Sequence, residues 1–174
     1  VASTSIIADI AKRVAGDDAI VTTVIPNGTD IHGYSPSPSI ARDIFSADLV
    51  LVNGYNLEES VLDLIMENRA NSAPLVVVST GLTPLAGGHH HDQDDDDNLI
   101  FAKGDPHFWL SVTNAMVYTS NIVDALMAVD FLNASRYRER ADAYLGELQT
   151  LDEQVRVGLS RIPVERRVIV VYHD

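Results

Sequence analysis

Three histidines stand apart in a chain that has no cysteine, and each sits on a support able to present an imidazole. His32 lies in Thr29-Asp30-Ile31-His32-Gly33-Tyr34-Ser35-Pro36-Ser37-Pro38-Ser39. Proline fixes φ and holds the preceding residue extended, so the two prolines make a semi-rigid arm after the histidine. His107 lies in Asp105-Pro106-His107-Phe108-Trp109. There proline stiffens the approach and the aromatics, Trp109 among them, can wall the ring from water. Asp105 can orient the imidazole, as a carboxylate does for a metal-bound histidine. His173 ends the apolar run Val168-Ile169-Val170-Val171-Tyr172. Each of the three taken alone also fits an ordinary turn with a solvent-facing ring. Together they fit a metal site, since three neutral imidazoles plus a carboxylate or water complete a tetrahedron around zinc.

The other three histidines are clustered with aspartates in His89-His90-His91-Asp92-Gln93-Asp94-Asp95-Asp96-Asp97. Asp92, Asp94, Asp96 and Asn98 match the first, third, fifth and seventh places of a calcium loop. Asp97 stands where that loop needs glycine and Lys103 where it needs a bidentate glutamate, so the calcium reading fails. Two readings remain. One is an auxiliary loop, with His89, His90, His91, Asp92 and Asp94 holding divalent cations weakly; the other is a solvated loop. The chain carries no G-x-S-x-G, P-loop, G-x-G-x-x-G or H-E-x-x-H motif.

Composition narrows the class further. The 174 residues are 46% hydrophobic and 21% charged, enough for one domain or slightly more with a sizeable core. A formal net charge of -13 argues against nucleic acid, whose binding rests on phosphate neutralisation by Lys and Arg. No apolar run approaches the roughly 20 residues of a membrane span. No basic and apolar leader opens the chain, so a signal segment is expected to have been removed. The absence of cysteine excludes disulfides and thiolate sites.

The elements that must position these residues alternate. Ile6, Ile7, Ile10, Ala11 and Val14 repeat at helical spacing before Gly16. The runs Ile20–Ile25, Asp48–Val52, Leu75–Val78 and Val168–Tyr172 read as strands. Helices are predicted over Ser39–Phe45, Asn56–Arg69 (acidic and amphipathic), Val112–Val129 and Asn133–Arg161. The last carries a narrow apolar stripe through Tyr137, Ala141, Tyr144, Leu148, Leu151, Val155, Leu159 and Ile162, suited to a helix lying across a surface or to a coiled-coil strand. Residues 81 to 104 lack periodicity and read as a mobile insertion. The alternation predicts an α/β fold with a mostly parallel sheet and helices on both faces, whose ligands bind beyond the C-terminal strand ends. Both ends look cut, and a second α/β lobe is expected to be missing.

The chain resembles the zinc- and manganese-binding solute-binding proteins of bacterial ABC transporters (cluster A-I). Five stretches carry the resemblance in the family's order: V-A-S-T-S-I-I-A-D-I-A, P-N-G-T-D-I-H-G-Y-S-P-S-P-S, A-D-L-V-L-V-N-G-Y-N-L-E, G-D-P-H-F-W-L and R-R-V-I-V-V-Y-H-D. Ile31 replaces the family's usual proline, and Val61 its frequent tryptophan. The resemblance implies a first lobe over residues 1–131, with a His/Asp-rich insertion at 86–104. An inter-lobe helix would follow over 132–162, and residues 163–174 would begin a truncated second lobe. By motif match it implies His32, His107 and His173 as ligands, with a carboxylate further along as the fourth.

The implied function is capture of Zn²⁺ outside the cytoplasm, in the periplasm or as a lipid-anchored protein before processing, for delivery to an ABC permease. Three imidazoles favour zinc over Mn²⁺, the alternative metal, which prefers oxygen ligands. In the family a glutamate at the third position goes with manganese, and here that position is His173. A zinc hydrolase, using three histidines and a metal-bound water, is the competing enzymatic class, but no evident general base supports it. A surface adhesion or zinc-buffering protein is a third class. Association through the uncovered face of the long helix is expected of the chain by itself.

Overall fold

A computed structural model describes residues 1–85 and 99–168. Among these residues four short strands form one parallel sheet: β1 (Ala2–Thr4), β2 (Thr23–Ile25), β3 (Val50–Val52) and β4 (Leu75–Val77), in the order β2-β1-β3-β4. Ala2 pairs with both Thr23 and Leu51, and Val50 with Leu75. The chain runs outward from β1 to β2, then crosses back to β3. The carboxyl ends of β1 and β3 therefore flank a topological switch point, where parallel sheets place their ligand crevice.

Among the described residues, five α-helices cover the two faces: α1 (Ser5–Ala15), α2 (Pro38–Phe45), α3 (Leu62–Asn68), α4 (Val112–Val129) and α5 (Ala134–Ser160). On one face α1, α4 and α5 pack Ile7, Ile10, Val14, Tyr118, Ile122 and Tyr137 against Ala2 and Leu51. On the other, Ile44 of α2 and Ile65 of α3 meet Val24, Ile25, Val50 and Val52. Each of these fully buried aliphatic side chains contributes about 1.5–3 kcal/mol. β3 is buried on both faces, which is why its sequence is apolar without alternation. The start of α1 is capped by Thr4, whose Oγ1 accepts from the Ile7 amide. Its end is closed by Gly16 at φ 56.

Several elements differ from the sequence expectation. The strand expected over Ile20–Ile25 begins only at Thr23, and Ile20 is 94% exposed. Residues Gly16–Asp18 continue past α1 as a 3₁₀ turn, because Asp18 is drawn to Arg136 and Arg140 of α5. That turn leaves Ile20 outside the ladder. The acidic helix expected from Asn56 begins only at Leu62. Tyr55 and Asn56 adopt φ 53 and 58, and their amides donate to the carbonyls of Leu99 and Ile100 instead of entering a helix. Those bonds also tie down part of the expected insertion: Ile100 is buried, while residues 86–98 lie outside the described residues.

Helix α5 is long, as its stripe predicts, and its contacts are unequal along its length. Tyr137, Ala141 and Leu148 are buried, whereas Leu151, Val155 and Leu159 are exposed. Of the strand expected over Val168–Tyr172 only Val168 is described.

Candidate metal centre

The two described histidines are presented by the same local device. After β2 the chain turns through Gly28, whose φ is 77, and reaches Asp30. The Asp30 Oδ1 accepts from the His32 amide at 3.1 Å, an Asx turn that fixes the backbone two residues on. Ile31 and Tyr34 anchor this loop by packing against the core beneath α2 and α3. Ser60 Oγ adds a 3.0 Å hydrogen bond to the Ile31 carbonyl. His32 itself is exposed. The arm that follows enters α2, with Pro38 at its first position.

In the second loop the Asp105 Oδ1 accepts from the His107 amide at 2.9 Å and lies 2.7 Å from His107 Nδ1. An ionised carboxylate only accepts, so the imidazole donates at Nδ1. The Trp109 ring meets the imidazole edge to face at 5.2 Å, and Phe108 is buried against Tyr55 at 4.9 Å. The Pro106 carbonyl accepts from Asn53 Nδ2 at 3.0 Å.

These two loops bring His32 and His107 together, with ring centroids 5.8 Å apart and planes at 65°. With Zn–N bonds of about 2.0–2.1 Å, two imidazoles on one tetrahedral ion have centroids about 5 Å apart. The observed spacing of 5.8 Å is close to that value. Among the described residues no third His, Asp or Glu joins them in a ligand-like group. His173, and His89, His90, His91, Asp92 and Asp94, lie outside the described residues.

Beneath both loops lies a buried polar network that the sequence reading did not single out. Glu58, read as part of an acidic helix face, is 1% exposed. Its Oε1 accepts from Ser3 Oγ and from the Asn53 amide, each at 2.6 Å, and its Oε2 from the Gly54 amide at 3.2 Å. Burial pushes the Glu58 carboxyl above its ordinary value, against the pull of these donors. Asn53 is also buried; its Oδ1 accepts from the Tyr118 hydroxyl, and its carbonyl accepts from Ser79 Oγ at 2.6 Å. Burial likewise raises the Tyr118 pKa, with the nearby Glu58 charge adding to it. One signal was available: Asn53-Gly54-Tyr55-Asn56 is turn-forming, which argues against a helix starting at Asn56.

A family model described as zinc-uptake complex component A, periplasmic, matches residues 1–174. The iron-binding protein YfeA of Yersinia pestis is 37% identical over 173 residues, spanning 95% of this chain and 50% of that protein. The manganese ABC transporter substrate-binding lipoprotein PsaA of Streptococcus anginosus is 33% identical over 182 residues, spanning 98% and 54%. Among solved structures, the Mn-bound periplasmic metal binding protein from Candidatus Liberibacter asiaticus superposes with a TM-score of 0.82 at 33% identity, covering 95% of this chain and 58% of that one. The chain thus spans about half the length of the curated relatives it matches.

Proposed function

This chain belongs to the zinc-uptake complex component A family, and we propose that it forms the metal-capturing first lobe of a substrate-binding protein working outside the cytoplasm. Its cargo is a divalent transition metal, handed to an ABC permease in the membrane. The observation that carries this reading is the convergence of His32 and His107 from two Asx-turn loops at the sheet's carboxyl edge. His107 would coordinate through Nε2, because Asp105 engages Nδ1. His173 would be the third ligand, and a carboxylate from a second lobe the fourth. Residues 1–131 would form the lobe, 132–162 the link to the second lobe, and 163–174 its beginning. The run His89–Asp94 would hold further ions weakly.

Zinc is the proposed cargo, since imidazole ligands favour it over a hard, oxygen-preferring ion. Manganese is the second reading, supported by the relative named for manganese and the Mn-bound neighbour. The deciding experiment is competition for Zn²⁺ and Mn²⁺ on the full-length protein, repeated with His32→Ala and His107→Ala. Zinc should bind at least tenfold more tightly, and each variant should lose at least about tenfold, the lower end for removing even a supporting partner. Tighter manganese binding would replace zinc as cargo, and unchanged affinity in both variants would remove the site.

A further inference from the structure

We propose that Asn53 and Ser60 are positioning residues which hold the His107 and His32 loops at the separation a shared ion needs; this rests on the metal-capture reading above. Both belong to one short segment between β3 and α3. At one end Asn53 Nδ2 holds the Pro106 carbonyl, next to His107. At the other Ser60 Oγ holds the Ile31 carbonyl, next to His32. Glu58 locks the segment from within, since its two oxygens take the amides of Asn53 and Gly54 and the hydroxyl of Ser3 in β1. The separation of the two imidazoles is thereby referred to a single rigid piece of chain.

The chemistry at position 53 calls for asparagine. Its Oδ1 accepts from the Tyr118 hydroxyl while Nδ2 donates to the Gly54 and Pro106 carbonyls, both at 3.0 Å. Only a carboxamide joins one acceptor and two donors in this way. Aspartate would set an acceptor against two carbonyls, and glutamine adds a methylene where the site is closed. Tyr118 fixes which way the carboxamide faces. All of these groups are buried or half-buried, so each lost partner leaves a polar atom unsatisfied.

The test is a set of double-mutant cycles on Zn²⁺ affinity in the full-length protein, read by competition with a chelating dye. Asn53→Ala should weaken zinc roughly tenfold, in the range for partners that orient a ligand. It should cause no further loss once His107→Ala is present. Ser60→Ala should behave the opposite way, keeping its loss beside His107→Ala and losing it beside His32→Ala. This crossed pattern is one that general destabilisation does not produce. If Asn53→Ala fails to fold, Tyr118→Phe carries the same cycle, because it removes only the hydroxyl that orients the carboxamide. Losses that multiply in every combination would overturn the positioning role while leaving the metal site standing. A His107→Ala protein with unchanged zinc affinity would overturn the site itself, and the positioning role with it.

Discussion

His32 and His107 meet edge to face with ring centroids 5.8 Å apart, and the backbone amide of each is held by an aspartate two residues earlier. The two aspartates are not equivalent. Asp105 also reaches the Nδ1 of its histidine, whereas Asp30 accepts from the His32 backbone amide. Both loops use one local turn, and one of them adds direct control of ring orientation.

That asymmetry predicts unequal mutants. Asp105→Ala should weaken Zn²⁺ binding by about tenfold or more, since it removes both the turn and the ring's orienting partner. Asp30→Ala should cost less, because Ser60, Ile31 and Tyr34 still secure the loop. Competition titration of the two full-length variants checks this, and equal losses would show that the ring contact adds nothing.

Glu58 gives the fold a pH dependence of definite sign. Its folded pKa is raised by burial above the ordinary 4.5. A raised carboxyl pKa contributes stability that is fully present below the unfolded value and is lost as pH rises through the folded one. Glu58→Gln removes that titration, along with an acceptor the neighbouring amides use. Wild type should therefore exceed the variant most at low pH, and the gap should narrow on moving upward from about pH 4.5. Urea unfolding of the metal-free proteins at several pH values measures it, and a gap that widens with pH would contradict the burial argument.

Gly54 sits at φ 83, where a Cβ would lie 2.7 Å from Val77 Cγ1 and 2.9 Å from the Leu99 carbonyl oxygen. Gly28 has a similar φ of 77 and nothing within 4 Å of a Cβ. Gly28→Ala should cost about 1 kcal/mol, for the left-handed backbone alone. Gly54→Ala should cost about 2 kcal/mol or more, since overpacking adds to the same backbone term. Denaturant midpoints compare the two, and similar losses would mean the crowding at Gly54 relaxes without effect.

Asp18 fastens α5 to the end of α1. Its carboxylate is mostly buried and meets Arg136 and Arg140, and Arg140 also donates to the Ala15 carbonyl at 2.7 Å. Asp18→Ala should destabilise by about 1–3 kcal/mol, as for charge-assisted bonds away from full solvent. The Arg13–Glu147 pair is wider, at 3.7 Å, and exposed on both sides. Glu147→Ala should therefore cost less than about 1 kcal/mol. Thermal or urea unfolding separates these values, and equal effects would show that Asp18 is no anchor.

The local elements were legible in the sequence where one signal dominated. Helix α4 spans Val112–Val129 as predicted, and α1 ends before Gly16, the stop that follows its periodic apolar residues. The apolar β-branched runs mark the strands, and proline and aspartate mark both histidine loops, because these effects act within a few residues. Ile20 and Glu58 were misread for the opposite reason. Ile20 leaves the sheet because Asp18 answers arginines on α5. Glu58 turns inward because Ser3, 55 residues away, and the amides of Asn53 and Gly54 offset the cost of burying it. By itself the sequence determined most of the helices, strands and stiff turns where local signals dominate, and that the separate histidines are of a type to bind metal. Only the tertiary structure decided that His32 and His107 meet and that one buried segment spans them. Their distance depends on the order β2-β1-β3-β4 and on hydrogen bonds between residues far apart in the chain, neither of which leaves a periodic trace in the sequence.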